Sequence, residues 1–326
     1  RKNKIVDADA MNSQAAELGG EAALRKFRTT VLSSGGDIRN VTKAASMGMT
    51  KWHKGAAMGG EFFRSMILFN IKTHVTNTAS GFTETVLIPS ERFVGSFLDW
   101  RTNPFGAEAK AVRQDVRYHM VGLFSTFKDS IRMAKKSLQA ERNFLDPANT
   151  KLDGMDVENK LTSGFVGLRK ESLLGRNVDT IGKISRGSLR ALGAEDEFFK
   201  QINYRARIFA NAMREADVLM QAGKLDKDGM KAYALKKVDE SFDDAGRGID
   251  KDSTQYSREV TFTEDLDKGS LALKFQQATQ QHPQLQLILP FVRTPTNLIV
   301  RGVQRTPLAY ALSRRYRETL KNGTQA

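Results

Sequence analysis

The chain has 326 residues, 40% of them apolar, which is enough to bury one large core or two ordinary ones and too many for wholesale disorder. Its 51 basic residues against 37 acids leave a net charge of +14, which favours a polyanionic partner: nucleic acid, anionic lipid or an acidic protein surface. With no cysteine, disulfides and thiolate metal sites are excluded, and the four scattered histidines, His53, His74, His119 and His282, have no metal-ligand spacing.

Arg1 in place of a methionine suggests a piece of a longer parent, and no signal or transit sequence opens the chain. From Asp7 to about Ser33 the composition is alanine- and glutamate-rich, a helical signature interrupted at Gly19-Gly20, and the run from Ser33 to Gly36 reads as a loop. Residues 38–60 are rich in glycine and methionine, and the Gly55, Gly59 spacing marks a flexible or closely packed helix. From Glu61 the chain turns apolar, with Phe62, Phe63, Met66, Ile67, Phe69, Ile71 and Val75. Lys72 and His74 interrupt the run, which falls well short of the ~20 apolar residues a spanning helix needs, so it reads as a buried helix. His74, beside Thr73 and near Asn77, reads as a hydrogen-bonded packing residue rather than a ligand.

Pro89, Pro104 and Gly106 bracket a short segment with Phe93, Phe97 and Trp100. The longest periodicity follows: Phe105, Ala109, Val112, Val116, Met120, Leu123, Phe127, Ile131, Ala134 and Leu138 step by three or four residues. That stripe predicts a rod of about nine turns, roughly 50 Å at ~1.5 Å per residue. Its other face carries Lys110, Arg113, Arg117, Lys128, Arg132, Lys135 and Lys136, with Glu108, Asp115 and Asp129 among them, and reads as solvated. Residues 143–176 hold Asp146-Pro147, Asp153-Gly154 and several glycines, the composition of a linker. Glu171-Ser172 is similar to the opening of the lytic transglycosylase signature, but the rest of that signature is missing, so Glu171 is not read as a catalytic acid.

A second helical block begins near Asn177, with Phe198, Ile202, Ala206, Phe209, Met213, Ala216 and Met220 on one face, Lys200, Arg205, Arg207 and Arg214 on the other, and a stop at Gly223. Met230, Tyr233, Ala234, Val238 and Phe242 predict a further helix, and a short strand-like piece runs from Glu259 to Phe262. The aspartate-rich stretches near 224–229 and 239–252 lack the ligand order of a calcium loop. Thr261-x-x-Glu264 reads as a capping box opening a helix to Gln281, with Leu266, Leu273 and Phe275 inward.

The carboxyl end carries a repeated tripeptide, Arg293-Thr294-Pro295 and Arg305-Thr306-Pro307. Each places a hydroxyl before a proline, and each reads as a helix start in which threonine caps an orphan N–H. Between them Leu298, Ile299 and Val303 form the inward stripe of a short helix, and Leu308, Leu312, Tyr316 and Leu320 continue it. Arg293, Arg301, Arg305, Arg314, Arg315 and Arg317 face only Glu318, a one-signed field. With Arg113, Arg117, Lys135 and Lys136, Arg301, Arg314, Arg315 and Arg317 are candidate polyanion contacts.

The run ILPFVRTPTNLIVRGVQRTPL resembles a block in very large virion proteins of short-tailed and related bacteriophages, the internal proteins ejected with the genome. The likeness lies in Pro290, Phe291, Arg293, Thr294 and Pro295, in Asn297, and in Arg305, Thr306 and Pro307. Lys72-Thr73-His74 with Asn77, after an apolar helix, is similar to a second block in those proteins, and Asp196 to Lys200 with Tyr204 to Arg207 to a third. The resemblance implies a protein packed in the capsid near the portal and then released into the host envelope or periplasm. There it would form an oligomer with other internal virion and portal proteins, as a conduit for genome entry. Phage DNA and the host membrane surface are the further partners implied. Two rivals stand beside it: a non-catalytic region of the virion-packaged RNA polymerase, and a co-injected DNA-binding antirestriction protein.

No phosphate-cradling Gly-x-x-x-x-Gly-Lys-Thr, no Gly-x-Ser-x-Gly and no His-Glu-x-x-His occurs, so the segment reads as non-enzymatic and without a cofactor. The expected fold is mainly α, an elongated multi-helix bundle of long amphipathic helices with little or no sheet. Its expected parts are an arm over 1–60, a helical region with the rod over 61–142, a linker over 143–176 and a second helical region over 177–326.

Overall fold

A computed structural model describes residues 51–98, 103–140, 142–147, 149, 161–267, 269–281 and 292–306. The chain is mainly α: among the described residues there is no strand, only a lone bridge between Phe242 and Gly248. In chain order the helices are α1 (Lys51–Leu68), α2 (Ile71–Leu98), α3 (Ala107–Ala140), α4 (Ser163–Val166), α5 (Leu173–Gln221), α6 (Gly229–Glu240), α7 (Lys251–Thr261), α8 (Leu271–Gln281) and α9 (Arg293–Gln304). They fall into two compact units, one drawn from Arg1–Asn70, Val157–Leu189 and Asp267–Val292, the other from Ile71–Asp156, Arg190–Leu266 and Arg293–Ala326.

In the first unit α1 meets the amino-terminal part of α5 through polar side chains. Glu61, 1% exposed, accepts from the Leu161 amide at 2.8 Å and lies 3.6 Å from Arg186, and Ser188 donates to the Ser65 carbonyl at 3.0 Å. Thr162 caps α4 by accepting from the Phe165 amide, and Asp179 of α5 receives both the amide and the hydroxyl of Ser163. The expected apolar face of α1 lies outside instead: Phe62, Phe63, Met66, Ile67 and Phe69 are exposed, while Gly60, Glu61, Ser65 and Leu68 are buried. An added Cβ at Gly55 or Gly59 would meet nothing, so neither marks a close helix approach.

In the second unit α2 packs along α3, α7 packs against α2, and the middle of α5, about residues 196–212, is enclosed on nearly every side. One apolar cluster joins Leu145, Tyr204, Ile208, Phe209, Ala212, Ala234 and Val238; another joins Leu123, Ile202 and Ala206. The expected rod is present as α3, 34 residues or about 50 Å. Its buried face is rotated from the expected stripe. Ala109, Val116 and Leu123 are inside with Asp115, His119, Gly122, Thr126 and Ser130, whereas Phe105, Phe127, Ile131 and Leu138 are exposed.

Small hydroxyl residues make that rotation possible. Thr126 donates to the Gly122 carbonyl at 2.9 Å and Ser130 to the Thr126 carbonyl at 2.9 Å, so each satisfies its own polarity within the helix and presents a small surface to the neighbour. Thr85 of α2 does the same toward Gly81 at 2.8 Å, and Thr261 of α7 toward Ser257 at 2.9 Å. At Gly122 an added Cβ would stand 3.0 Å from the Ala206 backbone, which marks where α3 and α5 approach most closely.

Several expectations are corrected. Pro89 lies buried inside α2 rather than ending an element. Thr261 ends α7, with Phe262 closing it in the left-handed conformation, so Thr261 and Glu264 are not a capping box and residues 259–261 are helical. The next helix starts after Ser270, whose hydroxyl accepts from the Leu273 amide at 3.1 Å, and its Phe275 is exposed. Lys200 and Arg205, expected on a solvated face of α5, are 0% and 8% exposed. Within 143–176, Phe144, Leu145, Leu161 and Phe165 are buried.

Candidate functional site

The motif that opens α9 folds with its polar side inward. Arg293, Asn297, Arg301 and Arg305 recur every four residues, which stacks them on one face of the helix. Arg293, 5% exposed, donates to Asn149 Oδ1 at 2.7 Å. Asn297 donates to the carbonyls of Phe262 and Glu264 at 3.1 and 2.8 Å. Arg301 lies 3.9 Å from Glu259 and 3.6 Å from Glu264. Arg305 grips Glu84 of α2 with both terminal nitrogens, at 2.6 and 2.7 Å, and its Nε lies 3.0 Å from Glu91. The charge-assisted bonds to Glu84 raise the pKa of Arg305 above its ordinary value.

Leu298 and Ile299 therefore point outward, 52% and 66% exposed, the reverse of the expected stripe; Val303 is half-buried. The helix begins at Arg293, one residue before Thr294, and Thr294 Oγ1 is buried without a hydrogen bond among the described residues, so Thr294 is not the cap. Arg305 and Thr306 follow the end of α9, where Thr306 donates to the Val303 carbonyl at 2.7 Å. Pro295 is exposed, and Pro290, Phe291, Pro307, Arg314, Arg315 and Arg317 lie outside the described residues.

Asn149 connects the motif to the middle of α5. Lys200 donates to the Asn149 carbonyl and pairs with Asp196 at 3.0 Å, both side chains 0% exposed, and Asn143 donates to Asp196 at 3.1 Å. Glu197 accepts from the amides of Phe144 and Leu145 at 2.9 and 3.1 Å and from Gln201 at 2.8 Å. Burial raises the Glu197 pKa, against the lowering effect of those three donors. Arg258 closes the segment from the other side with a two-pronged pair to Asp146 at 2.7 and 3.1 Å. The block around Lys72 joins the same unit through His74, whose Nδ1 is 2.7 Å from Glu195 of α5. Thr73 and Asn77 are half-buried on α2 and Lys72 is exposed.

A second cluster surrounds Asp115, 3% exposed on α3. Arg92 of α2 and Arg207 of α5 approach its Oδ2 at 3.0 and 3.2 Å, and Arg214 of α5 its Oδ1 at 3.3 Å, so one carboxylate ties three helices and two positive charges remain over. One turn along, His119 stacks edge-on to Tyr256 with ring centroids 5.3 Å apart. Burial, with Arg207 and Arg92 nearby, lowers the His119 pKa to about 3 although Asp115 opposes them, and burial raises that of Tyr256. Beside this cluster an open pocket of about 470 Å³ is lined by Phe93, Arg113, Gln114, Arg117 and Tyr118. Lys135 and Lys136 are exposed farther along α3, Lys136 lying 4.7 Å from the Phe144 ring.

The structure thus brings Arg293, Asn297, Arg301 and Arg305 into internal bonding and places Arg113 and Arg117 at a pocket. Glu84 was not singled out from the sequence, Asp115 was read on a solvated face, and Asp196 entered only through the third resembling block; the one legible signal for the inward polar side was the four-residue spacing of polar residues in α9. Among the described residues no group of His, Asp and Glu is placed to hold a metal ion, and no helix is long and apolar enough to cross a membrane. Comparison with protein-family models, with curated proteins and with solved structures finds no match.

Proposed function

We propose that the chain is a structural component of a phage virion, packaged in the capsid and ejected with the genome. In the host envelope it associates with copies of itself and with other internal virion or portal proteins to help form a conduit for DNA. The observation that carries this reading is the placement of apolar surface. Phe124, Phe127 and Ile131 on α3, Phe82 and Leu98 on α2, Phe62 and Met66 on α1, and Leu298 and Ile299 on α9 are exposed, while the interior holds Asp196, Glu197, Lys200 and Arg293. Apolar side chains on successive turns facing water favour association, because covering them removes that area from solvent at ~25 cal/mol per Å².

The three blocks that resemble ejected virion proteins support the reading from a second side. Residues of all three take part in bonding to α5 or to the loop pinned on it: His74 with Glu195, Asp196 with Lys200, and Arg293 with Asn149, the residue Lys200 also meets. Quantitative mass spectrometry of intact and emptied particles tests the proposal. The polypeptide is expected in intact particles and depleted after ejection; equal amounts in both, or none in either, would overturn it.

A further inference from the structure

We propose that the pocket between the end of α2 and the first half of α3 binds a single strand of nucleic acid, its phosphates on Arg113 and Arg117 and a base against Phe93. The proposal rests on the reading of the chain as a protein that meets the ejected genome, and it adds where and in what form the DNA is held. Arg113 and Arg117 are four residues apart and so share a face of α3. The pocket's volume, about 470 Å³, lies within the range that small ligands of nucleotide size occupy.

The charge balance is positive. Arg92, Arg113, Arg117, Arg207 and Arg214 surround two acids, Asp115, which three of them share, and Asp217. Asp217 accepts from Tyr118 and Gln114 at 2.7 Å each, and Gln114 also donates to the Tyr118 hydroxyl at 2.8 Å, which holds that wall in place. Arg113 is oriented before any ligand arrives. Its guanidinium lies 4.4 Å over the Phe97 ring and donates to Ser96 at 3.3 Å, so less freedom is lost when a phosphate docks.

Phe93, 43% exposed, packs edge-on against Phe97 at 5.4 Å and leaves a face to the pocket. A guanidinium pair beside an exposed ring is the combination that grips single strands, where each base offers a flat face; in a duplex that face is already stacked on its neighbours. A surface holding duplex DNA through charge alone would need no ring.

Fluorescence anisotropy of the full chain with labelled oligodeoxythymidylate, and with a duplex of equal length, over a series of salt concentrations tests this. Arg113→Ala with Arg117→Ala is expected to weaken strand binding at least ten-fold and to flatten the salt slope by about 1.4, two phosphates at ~0.7 each. Phe93→Ala is expected to weaken strand binding several-fold and leave duplex binding unchanged. Lys224→Ala with Lys227→Ala, which removes the same charge from the exposed turn after α5, is expected to change the affinity much less. Circular dichroism confirms that each variant keeps its helices. Equal affinities in the pocket variant and the lysine variant, or a silent Phe93→Ala, would overturn the proposal. So would loss of anionic-vesicle binding in the pocket variant with strand binding intact. Sedimentation of the same samples reports assembly separately, so strand binding can fail while the assembly reading stands.

Discussion

His119 shows how strongly this interior acts on a titratable side chain. It is 2% exposed, and its pKa falls from 6.5 to about 3 through burial and the nearby guanidiniums. The folded value lies below the unfolded one, so neutral histidine favours the fold. That contribution is whole above pH 6.5 and is lost as the pH falls toward 3. The expected slope is about 1.4 kcal/mol per pH unit within the window. Urea unfolding at pH 6.5 and again about one and a half units lower should lose about 2 kcal/mol, and less in His119→Gln; an identical loss in both chains would contradict this account of His119. Arg305 makes a second test, because only a guanidinium can meet both Glu84 oxygens at once. Arg305→Lys should lower stability by about 1 kcal/mol, a modest figure because solvent screens the pair, and the same substitution in a Glu84→Gln background should do much less. Thr294→Ala should leave the melting temperature unchanged, since among the described residues the hydroxyl makes no hydrogen bond and caps nothing.

At the scale of the helix, the rod α3 and the helix around Phe209 were legible because apolar residues recur every three or four positions over many turns. Periodicity names the apolar face without saying which face meets the neighbour. In α1 and α9 the polar face turned inward, since Glu61 found Arg186 and the Leu161 amide, and Arg305 found Glu84, partners 100 to 221 residues away in sequence. No local pattern carries that pairing. α7 escaped for another reason: its buried face is Ser253, Ser257, Val260 and Thr261, which reads as polar although two of those hydroxyls are satisfied within the helix. Pro89 could sit inside α2 because its missing donor removes only one bond of a 28-residue helix. The close approach at Gly122 gives the helix-scale prediction. Gly122→Val would drive side-chain carbons into the Ala206 backbone, 3.0 Å from an added Cβ, and should destabilise the chain by about 1–3 kcal/mol in chemical unfolding. An unchanged midpoint would mean that α3 and α5 are not held that closely.

The described residues bury more polar and charged side chains than apolar ones, and leave large apolar side chains in water on seven of their helices, α1 to α5, α8 and α9. The interior is held by hydrogen bonds and ion pairs of fixed geometry, such as Asp196 with Lys200, while the outer apolar faces lack cover. Such a distribution suits a protein whose partners complete it. Sedimentation velocity of the full chain over two decades of concentration, beside a Phe124→Glu, Ile299→Glu variant, is the most direct measurement. The account predicts concentration-dependent self-association in the parent chain and a shift toward monomer in the variant, with the helical spectrum and unfolding midpoint unchanged. A parent chain that stays monomeric throughout, or a variant that associates equally well, would contradict it.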